Sequence, residues 1–241
     1  MKETVFFEDV NGKKVFCQLV EPEPSDKKIV IMSHGFRGTN TGPARTFVDF
    51  SRILNENGFS TLRFDQPNSG NSEGDYLDSS FNEWIETIIY FADKFLDKGY
   101  KVILLGQSMG AAATLDAASK MENKIPCVVL WVPGVNEGDF NGEANEVFEE
   151  AGQKYQGKFW LESRKADFFK CLDNYKGNIH LVYGEKDRYI SQELRNRVIE
   201  KVKEKSQPFM ILKGQNHSPC EYDVCQKVYQ EELEFIKNNI T

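Results

Sequence analysis

The residues Gly106-Gln107-Ser108-Met109-Gly110 form the pattern G-x-S-x-G, in which a serine can act as a nucleophile. They follow the apolar run 102–105 and precede an alanine-rich run typical of a helix. In this setting the serine occupies a strained turn, where a side chain on either flanking glycine would collide with neighbouring backbone. The five-residue pattern also arises by chance, but the strand and helix beside it favour the catalytic interpretation of Ser108.

A serine nucleophile requires a base, and the chain has three histidines. His180 lies inside an apolar strand pattern, which favours a packed or edge histidine. His34 lies between an apolar run and a glycine, whereas His217 lies in a polar loop directly after the last predicted strand. We therefore predict that His217 is the base.

An acid that orients this base is expected after the preceding strand. Asp187 ends the turn Gly184-Glu185-Lys186-Asp187, and the carboxyl ends of parallel strands meet at one edge of a sheet, so it can lie beside His217. An aspartate in a turn is also a common turn former, and Glu185 is the competing acid. The chain order serine, aspartate, histidine favours Asp187.

Two backbone groups are predicted to form an oxyanion hole. The segment His34-Gly35-Phe36 follows the apolar run 29–33, and Gly35 allows the backbone to approach a substrate. We expect the Phe36 N–H to point at the negative charge that develops on the substrate carbonyl oxygen. The Met109 N–H lies at a helix N-terminus, whose partial positive charge stabilises the same oxygen.

Apolar runs of strand length alternate with helical patterns along the chain and position these residues. The predicted strands are residues 4–8, 14–20, 29–33, 60–65, 102–105, 127–132, 179–183 and 209–212. Asn11-Gly12 between the first two predicts a tight hairpin turn. The alternation predicts an α/β fold, with a mainly parallel eight-stranded sheet and helices on both faces.

The segment 134–177 is longer than a usual connection between a strand and a helix, which predicts a small cap within a single domain of residues 1–241. Trp131, Phe140 and Trp160 are candidates for lining an apolar or aromatic acyl pocket. The alternative is that these aromatic side chains close the core of the cap itself. His34 and Gln107, beside the predicted reacting groups, are further candidates for substrate contact.

The composition excludes several classes of protein. Of 241 residues, 40% are hydrophobic and 28% are charged, which is ordinary for a globular protein. The net charge is -7 and no basic run is present, so a nucleic-acid partner is not expected. No apolar stretch is as long as a membrane span, and residues 1–10 are too acidic for a signal peptide.

Five cysteines are scattered along the chain, and their odd number predicts no disulfide framework. We therefore expect a reduced, cytoplasmic setting. His217, Cys220 and Cys225 lie close together in sequence, but a second close pair of ligands for a structural zinc site is missing. Accordingly, we predict neither a metal ion nor an organic cofactor.

From about residue 13 to residue 239, the chain resembles the α/β-hydrolase superfamily, in particular small bacterial carboxylesterases of the feruloyl/cinnamoyl esterase and serine-aminopeptidase-like group. The motifs that carry the resemblance are 34–36, 106–110, Asp187 and His217. The resemblance also implies substrate contact for Asp139. The chain departs from the group at Asn68 and Ala111, where many members have glycine, and asparagine tolerates the left-handed backbone of such a turn.

These residues and the resemblance together imply a hydrolase that cleaves short-chain or aromatic carboxylic esters through an acyl-enzyme intermediate. Its expected partner is a small-molecule ester. The alternatives are an amidase or peptidase of the serine aminopeptidase type, a thioesterase or lysophospholipase, or a non-catalytic binding module. The sequence leaves open whether the chain is a monomer or a homodimer.

Overall fold

A computed structural model of the chain describes residues 1–137, 140–218 and 220–240. The eight predicted strands are all present in it, and an additional pair lies between the sixth and seventh of them. The strands are β1 (Lys2–Val10), β2 (Lys13–Glu21), β3 (Lys28–Ser33), β4 (Ser60–Phe64), β5 (Lys101–Gln107), β6 (Cys127–Trp131), β7 (Val147–Glu150), β8 (Gln153–Gln156), β9 (Asn178–Gly184) and β10 (Phe209–Leu212).

Eight of these strands form one sheet in the order β1-β2-β4-β3-β5-β6-β9-β10. The pairs β1–β2 and β2–β4 are antiparallel, and all other neighbours are parallel. Asn11 and Gly12, with φ of 52° and 82°, form the turn of the first hairpin, because its left-handed backbone suits these two residue types. The predicted mainly parallel eight-stranded sheet is confirmed.

Helices cover both faces of the sheet, as predicted. They are α1 (Thr46–Glu56), α2 (Phe81–Asp97), α3 (Met109–Lys120), α4 (Lys158–Lys165), α5 (Phe168–Asn174), α6 (Gln192–Glu204) and α7 (Tyr222–Asn238). Alternate side chains of β3 enter different cores: Ile31 joins a cluster with α2, α3, α5 and α6, while Met32 joins one with α1 and α7. The central strands β3, β4, β5, β6 and β9 are therefore buried on both sides, which explains their continuous apolar sequences.

The segment 134–177 contains an antiparallel hairpin, β7–β8, followed by α4 and α5. The sequence did not predict this hairpin, because its strands are short and mostly polar. Phe148 and Tyr155 stack across the hairpin at 5.7 Å, and Phe140 packs 5.2 Å from Phe148. These aromatic contacts give the segment an apolar cluster of its own. The description of the chain as one domain with a cap remains a prediction.

A disulfide joins Cys220 to Cys225 at the start of α7, although the scattered cysteines and their odd number predicted no disulfide framework. The other three, Cys17, Cys127 and Cys171, are free and buried. Disulfides persist mainly in oxidising compartments, so this bond gives no support to the predicted cytoplasmic location. That location stays a prediction. In the described ranges, the helices are all too short or too polar to cross a membrane.

Candidate active site

Ser108 lies in the turn between β5 and α3, with φ of 56° and ψ of −126°. A positive φ is rare for a residue with a side chain, so the surrounding structure must hold this conformation. A Cβ on Gly106 would lie 2.5 Å from the Gly110 carbonyl oxygen, and a Cβ on Gly110 would lie 2.2 Å from the His34 carbonyl oxygen. Both glycines are therefore needed for close packing. The Ser108 N–H donates to the Trp131 carbonyl at 2.9 Å and so fixes the turn to β6.

The Ser108 hydroxyl meets the imidazole of His217, which lies in the loop after β10. The distance from His217 Nε2 to Ser108 Oγ is 2.9 Å, which is suitable for a hydrogen bond donated by the hydroxyl. The His217 side chain is only 11% exposed, and the Tyr189 ring packs edge-on against it at 5.1 Å. The imidazole is therefore largely shielded from solvent, and its Nε2 is directed at Ser108.

Asp187 holds the other ring nitrogen of His217. Its Oδ2 lies 2.7 Å from His217 Nδ1, while its Oδ1 accepts hydrogen bonds from the N–H groups of Tyr189 and Ile190 at 2.9 and 3.0 Å. Burial by itself would raise the pKa of Asp187, but these hydrogen bonds outweigh it and lower the pKa below its ordinary value. The carboxylate is therefore ionised and acts only as an acceptor.

The loops that carry Asp187 and His217 are joined to each other by hydrogen bonds. The side-chain oxygen of Asn216 accepts from the N–H groups of both His217 and Arg188, at 2.8 and 3.1 Å. The Lys186 N–H donates to the Gln215 carbonyl at 2.8 Å. The loop after β9 and the loop after β10 are therefore connected by backbone as well as by side-chain hydrogen bonds.

Arg195, in α6, holds the loop after β9, which carries Asp187 and which we call the acid loop. This role of Arg195 was not predicted from the sequence. Its guanidinium donates to the backbone carbonyls of Asp187 at 3.0 Å, Glu185 at 2.8 Å, and Ile190. The residue is only 7% exposed. Charged residues on an amphipathic helix are usually solvated, so the sequence contained no signal for this role.

The segment after β3 passes close to Ser108. A Cβ on Gly35 would lie 2.8 Å from Ser108 Cβ, so only glycine permits this approach, and the Gly35 N–H donates to Gln107 Oε1 at 3.2 Å. Within the described residues, the N–H groups of Phe36 and Met109 have no hydrogen-bond acceptor. Free donors beside a serine hydroxyl are what an oxyanion hole requires.

His34 does not fit the predicted role in substrate contact, because it is fully buried. Its Nε2 accepts from the Gln66 N–H at 2.9 Å, and its Nδ1 lies 2.8 Å from the Gly35 carbonyl. Burial lowers the pKa of His34, despite the opposing effects of that carbonyl and of Asp65, so the ring is neutral. Donating from Nδ1 and accepting at Nε2, His34 links the segment 34–36 to the turn after β4.

Asn68 occupies the glycine position at which the chain departs from the resembling group. Its φ is 66°, as the tolerance of asparagine for left-handed backbone predicts. The turn is stabilised by Asp65, whose side chain accepts from the N–H of Asn71 at 2.8 Å and of Asn40 at 2.6 Å. The substitution therefore preserves the turn after β4.

A cleft of about 760 Å³ opens at Ser108, which is within the size range of small-molecule sites. Residues from the segment after β3, the segment 134–177 and the acid loop line it, among them Phe36, Trp160 and Ile190. An ion pair between Arg37 Nη2 and Glu150 Oε1, at 2.7 Å, crosses its wall. Aromatic and aliphatic side chains, several polar side chains and the paired Arg37 and Glu150 therefore line the cleft.

The other predicted substrate-binding residues lie in different places. Trp160 lines the cleft and packs 5.0 Å from Phe36, and Gln107 also lines it. Trp131 lines a smaller neighbouring cavity, and its indole donates to buried Glu232 at 3.0 Å. Phe140 packs within the segment 134–177 and is absent from the described lining of the cleft. Asp139 lies outside the described residues.

His180 is buried, as the sequence suggested, with Nδ1 2.9 Å from Glu232 Oε2. It lies on β9, on the face covered by α7, and takes no part in the arrangement at Ser108. Burial by itself would lower the pKa of His180, but the Glu232 carboxylate raises it above its ordinary value. In the part of the chain that the structure describes, no cluster of His, Cys, Asp or Glu side chains could hold a metal ion.

The chain is similar to a known protein family and to several solved structures. A family model described as serine aminopeptidase, S33, matches residues 24–167. No curated protein sequence matches the chain. Est1E from Butyrivibrio proteoclasticus, solved with ferulic acid bound, is 22% identical, with a TM-score of 0.85 over 98% of this chain and 99% of that one.

Two further solved structures have the same fold. The α/β hydrolase GrgF from Penicillium sp. sh18 is 16% identical, with a TM-score of 0.84 over 100% of this chain and 99% of that one. The monoacylglycerol lipase of Paleococcus ferrophilus is 18% identical, with a TM-score of 0.75 over 93% and 99%. At these identities the likeness establishes the α/β-hydrolase fold.

Proposed function

This chain belongs to the serine aminopeptidase S33 family and has an α/β-hydrolase fold, and on that premise we propose that it is a serine hydrolase of carboxylic esters. The observation that carries the proposal is the hydrogen-bonded line from the Ser108 hydroxyl through His217 to Asp187, with distances of 2.9 and 2.7 Å. A nucleophile, a base and an orienting acid in this order constitute a catalytic triad.

In the first step, His217 takes the hydroxyl proton while Ser108 Oγ attacks the ester carbonyl carbon. The carbonyl oxygen gains negative charge, which the N–H groups of Phe36 and Met109 stabilise. Asp187 keeps the proton on Nδ1 and stabilises the imidazolium. His217 then gives its proton from Nε2 to the alkoxy oxygen, and the alcohol leaves an acyl group on Ser108.

In the second step, water takes the place of the alcohol. His217 removes a proton from the water, whose oxygen attacks the acyl carbonyl, and the Ser108 oxygen leaves with that proton. The carboxylic acid is released and the enzyme is restored. All groups in this cycle belong to the chain or to the substrate, so the proposed reaction needs no metal or organic cofactor.

The lining of the cleft is suited to binding an aromatic or short aliphatic acyl group. Phe36, Trp160 and Ile190 present apolar surface to it, and apolar walls with a few polar groups are typical of small-molecule sites. The ferulic acid bound to Est1E, a protein of the same fold, supports an aromatic acyl group. A cytoplasmic location and a small-molecule ester partner belong to the same proposal.

The family description also supports a second candidate, hydrolysis of amides by an aminopeptidase-type reaction. Such an enzyme needs an anionic group for the substrate amine, and Glu150 is the acid that lines the cleft. Its carboxylate is paired with Arg37 at 2.7 Å, so its charge is already neutralised. This pairing favours the ester over the amide.

Labelling with a fluorophosphonate tests the nucleophile. We expect the native protein to gain one covalent label, located on Ser108 by mass spectrometry, and we expect Ser108→Ala to gain none. Ser119→Ala, which removes another serine hydroxyl outside the site, is the matched control and should label like the native protein. An unlabelled native protein would reject the proposal.

A comparison of substrates tests the preference for esters. Methyl esters of increasing acyl length, methyl ferulate and the anilides of the same acids are compared by kcat/KM. We expect the best ester to exceed its own anilide by at least about a hundredfold, because the amine is the poorer leaving group. An anilide that is cleaved faster than every ester would establish the amidase instead.

A further inference from the structure

A second cavity, which we call the side chamber, borders the imidazole of His217. Its volume is about 50 Å³, and it shares Gln107, His217 and Ser218 with the cleft. Its other walls are almost entirely apolar and include Trp131 from β6 and Val228 from α7. Two spaces of very different size therefore adjoin at these three shared residues.

The walls of the side chamber are fixed in position. The Trp131 indole donates to the fully buried Glu232 at 3.0 Å, and its ring packs 6.0 Å from that of Tyr229. The disulfide between Cys220 and Cys225 forms part of the same wall. A small cavity with such walls cannot expand easily, because interiors packed at native density resist added volume. The side chamber is therefore suited to discriminate by size.

The chemistry of the triad determines which part of an ester faces this chamber. The carbonyl oxygen must lie at the N–H groups of Phe36 and Met109, and both residues line the cleft with Ser108. The leaving oxygen must lie within hydrogen-bond reach of His217 Nε2, which protonates it. In the described residues, His217 lines the side chamber but Ser108, Phe36 and Met109 do not. Because His217 lines both cavities, an alkoxy group at its Nε2 can enter the side chamber while the acyl group occupies the larger cleft.

We propose that the side chamber is the alcohol subsite, and that the preferred substrates join a bulky apolar acyl group to an alcohol of one or two carbons. This inference rests on the proposed ester hydrolysis. A cavity of about 150 Å³ holds benzene, so about 50 Å³ holds about two non-hydrogen atoms. Methyl and ethyl groups fit within this limit, and butyl exceeds it.

The test uses one acid, ferulic acid, as its methyl, ethyl, propyl and butyl esters. We expect kcat/KM to be similar for the methyl and ethyl esters and to fall at least about tenfold by the butyl ester, since one methylene in an apolar pocket is worth about tenfold or more. Equal rates for ethyl and butyl esters would overturn the proposal.

Val228→Ala enlarges the side chamber and should bring the propyl ester to within about threefold of the ethyl ester. The matched control is Val202→Ala, which removes the same atoms from a fully buried position on α6 outside both cavities. The control should lower stability without changing the alcohol preference. If Val228→Ala instead widens the range of acyl groups, the side chamber holds the acyl group and the proposal is wrong.

The native protein provides a second readout that does not depend on a folded variant. With methyl ferulate as donor, alcohols added to the reaction compete with water for the acyl group on Ser108. Methanol and ethanol should accept the acyl group, and butanol should accept at least about tenfold less, because the incoming alcohol occupies the same space as the leaving one. Indifference to alcohol length in both assays, with hydrolysis still dependent on Ser108, would refute the alcohol subsite alone. Absence of both hydrolysis and fluorophosphonate labelling would remove the proposed function and this inference together.

Discussion

Replacing Asp187 by Asn tests the proposed triad at its least exposed member. The carboxylate uses both oxygens, one for the N–H groups of Tyr189 and Ile190 and one for His217 Nδ1. An amide has only one oxygen, so the Asn side chain must choose between these partners. The orientation that turns the NH2 group toward the two backbone donors leaves both unpaired, at about 1–3 kcal/mol each.

The favoured orientation therefore keeps the amide oxygen on the backbone donors and turns the NH2 group toward His217. His217 Nδ1 must then accept a hydrogen bond from this NH2 group, so the ring proton moves to Nε2. In that tautomer Nε2 can no longer take the proton of Ser108. In a known triad the same change lowers turnover by about 10⁴. That factor corresponds to about 5 kcal/mol in the activation free energy. We expect a similar loss of kcat in Asp187→Asn.

The assay measures kcat and KM for methyl ferulate, and nitrogen NMR of the His217 ring reports the tautomer directly. Glu185→Gln is the matched control, because Glu185 is the competing acid and its carboxylate accepts a hydrogen bond from the exposed Gly214 N–H at 2.8 Å instead of contacting His217. The control should retain activity within about threefold. A tenfold or smaller loss in Asp187→Asn, or an equal loss in the control, would refute the assignment of the acid.

Three further predictions concern packing, pH and the cleft wall. Gly110→Ala should lower the free energy of unfolding by about 1–3 kcal/mol, because the added Cβ meets a backbone oxygen at 2.2 Å. The control Gly99→Ala, which lies in open space with φ of 78°, should show only the smaller cost of its positive φ. Equal losses of the two variants in denaturant melts would contradict this. The lowered pKa of Asp187 makes its charge stabilising above the ordinary aspartate pKa of about 3.9 and progressively less so as pH falls through the folded value. The Tm advantage of the native protein over Asp187→Asn should therefore shrink below about pH 4, and a gap that widens on acidification would count against it. Glu150→Gln should lower Tm by at most about 4 °C. The side chains of Arg37 and Glu150 are 22% and 46% exposed, and exposed ion pairs contribute about 1 kcal/mol or less. A drop of about ten degrees would instead mean that the ion pair holds the cleft wall in place.

Much of this fold is readable from the sequence because buried parallel strands need continuous apolar runs. The run 102–105 and the glycines at 106 and 110 predict the Ser108 turn, and the order of strand ends predicts that Asp187 and His217 lie at the same edge. These signals are local in sequence, and each has a direct physical cause. The strands, their parallel arrangement and the covering helices were therefore predictable.

Other features depend on contacts between distant segments. Trp131 ends a strand buried on both faces, and nothing in such a run indicates that its indole faces Glu232 instead of the cleft. Arg195 resembles a solvated helix residue until its three carbonyl partners are seen. Cys220 and Cys225 are separated by only five positions, and cysteine number gave no reason to pair them. Such features require the three-dimensional packing.

The shared hydrogen bonds of Asn216 have a consequence for how this site loses activity. They join the loops of Asp187 and His217 into one unit, whereas Ser108 belongs to a separate turn and, among the described residues, meets His217 through one hydrogen bond. We therefore expect mild denaturant or heat to separate the Ser108 hydroxyl from the His217 imidazole while the imidazole stays hydrogen-bonded to Asp187. Inactivation should then precede the loss of secondary structure, and cooling should reverse it.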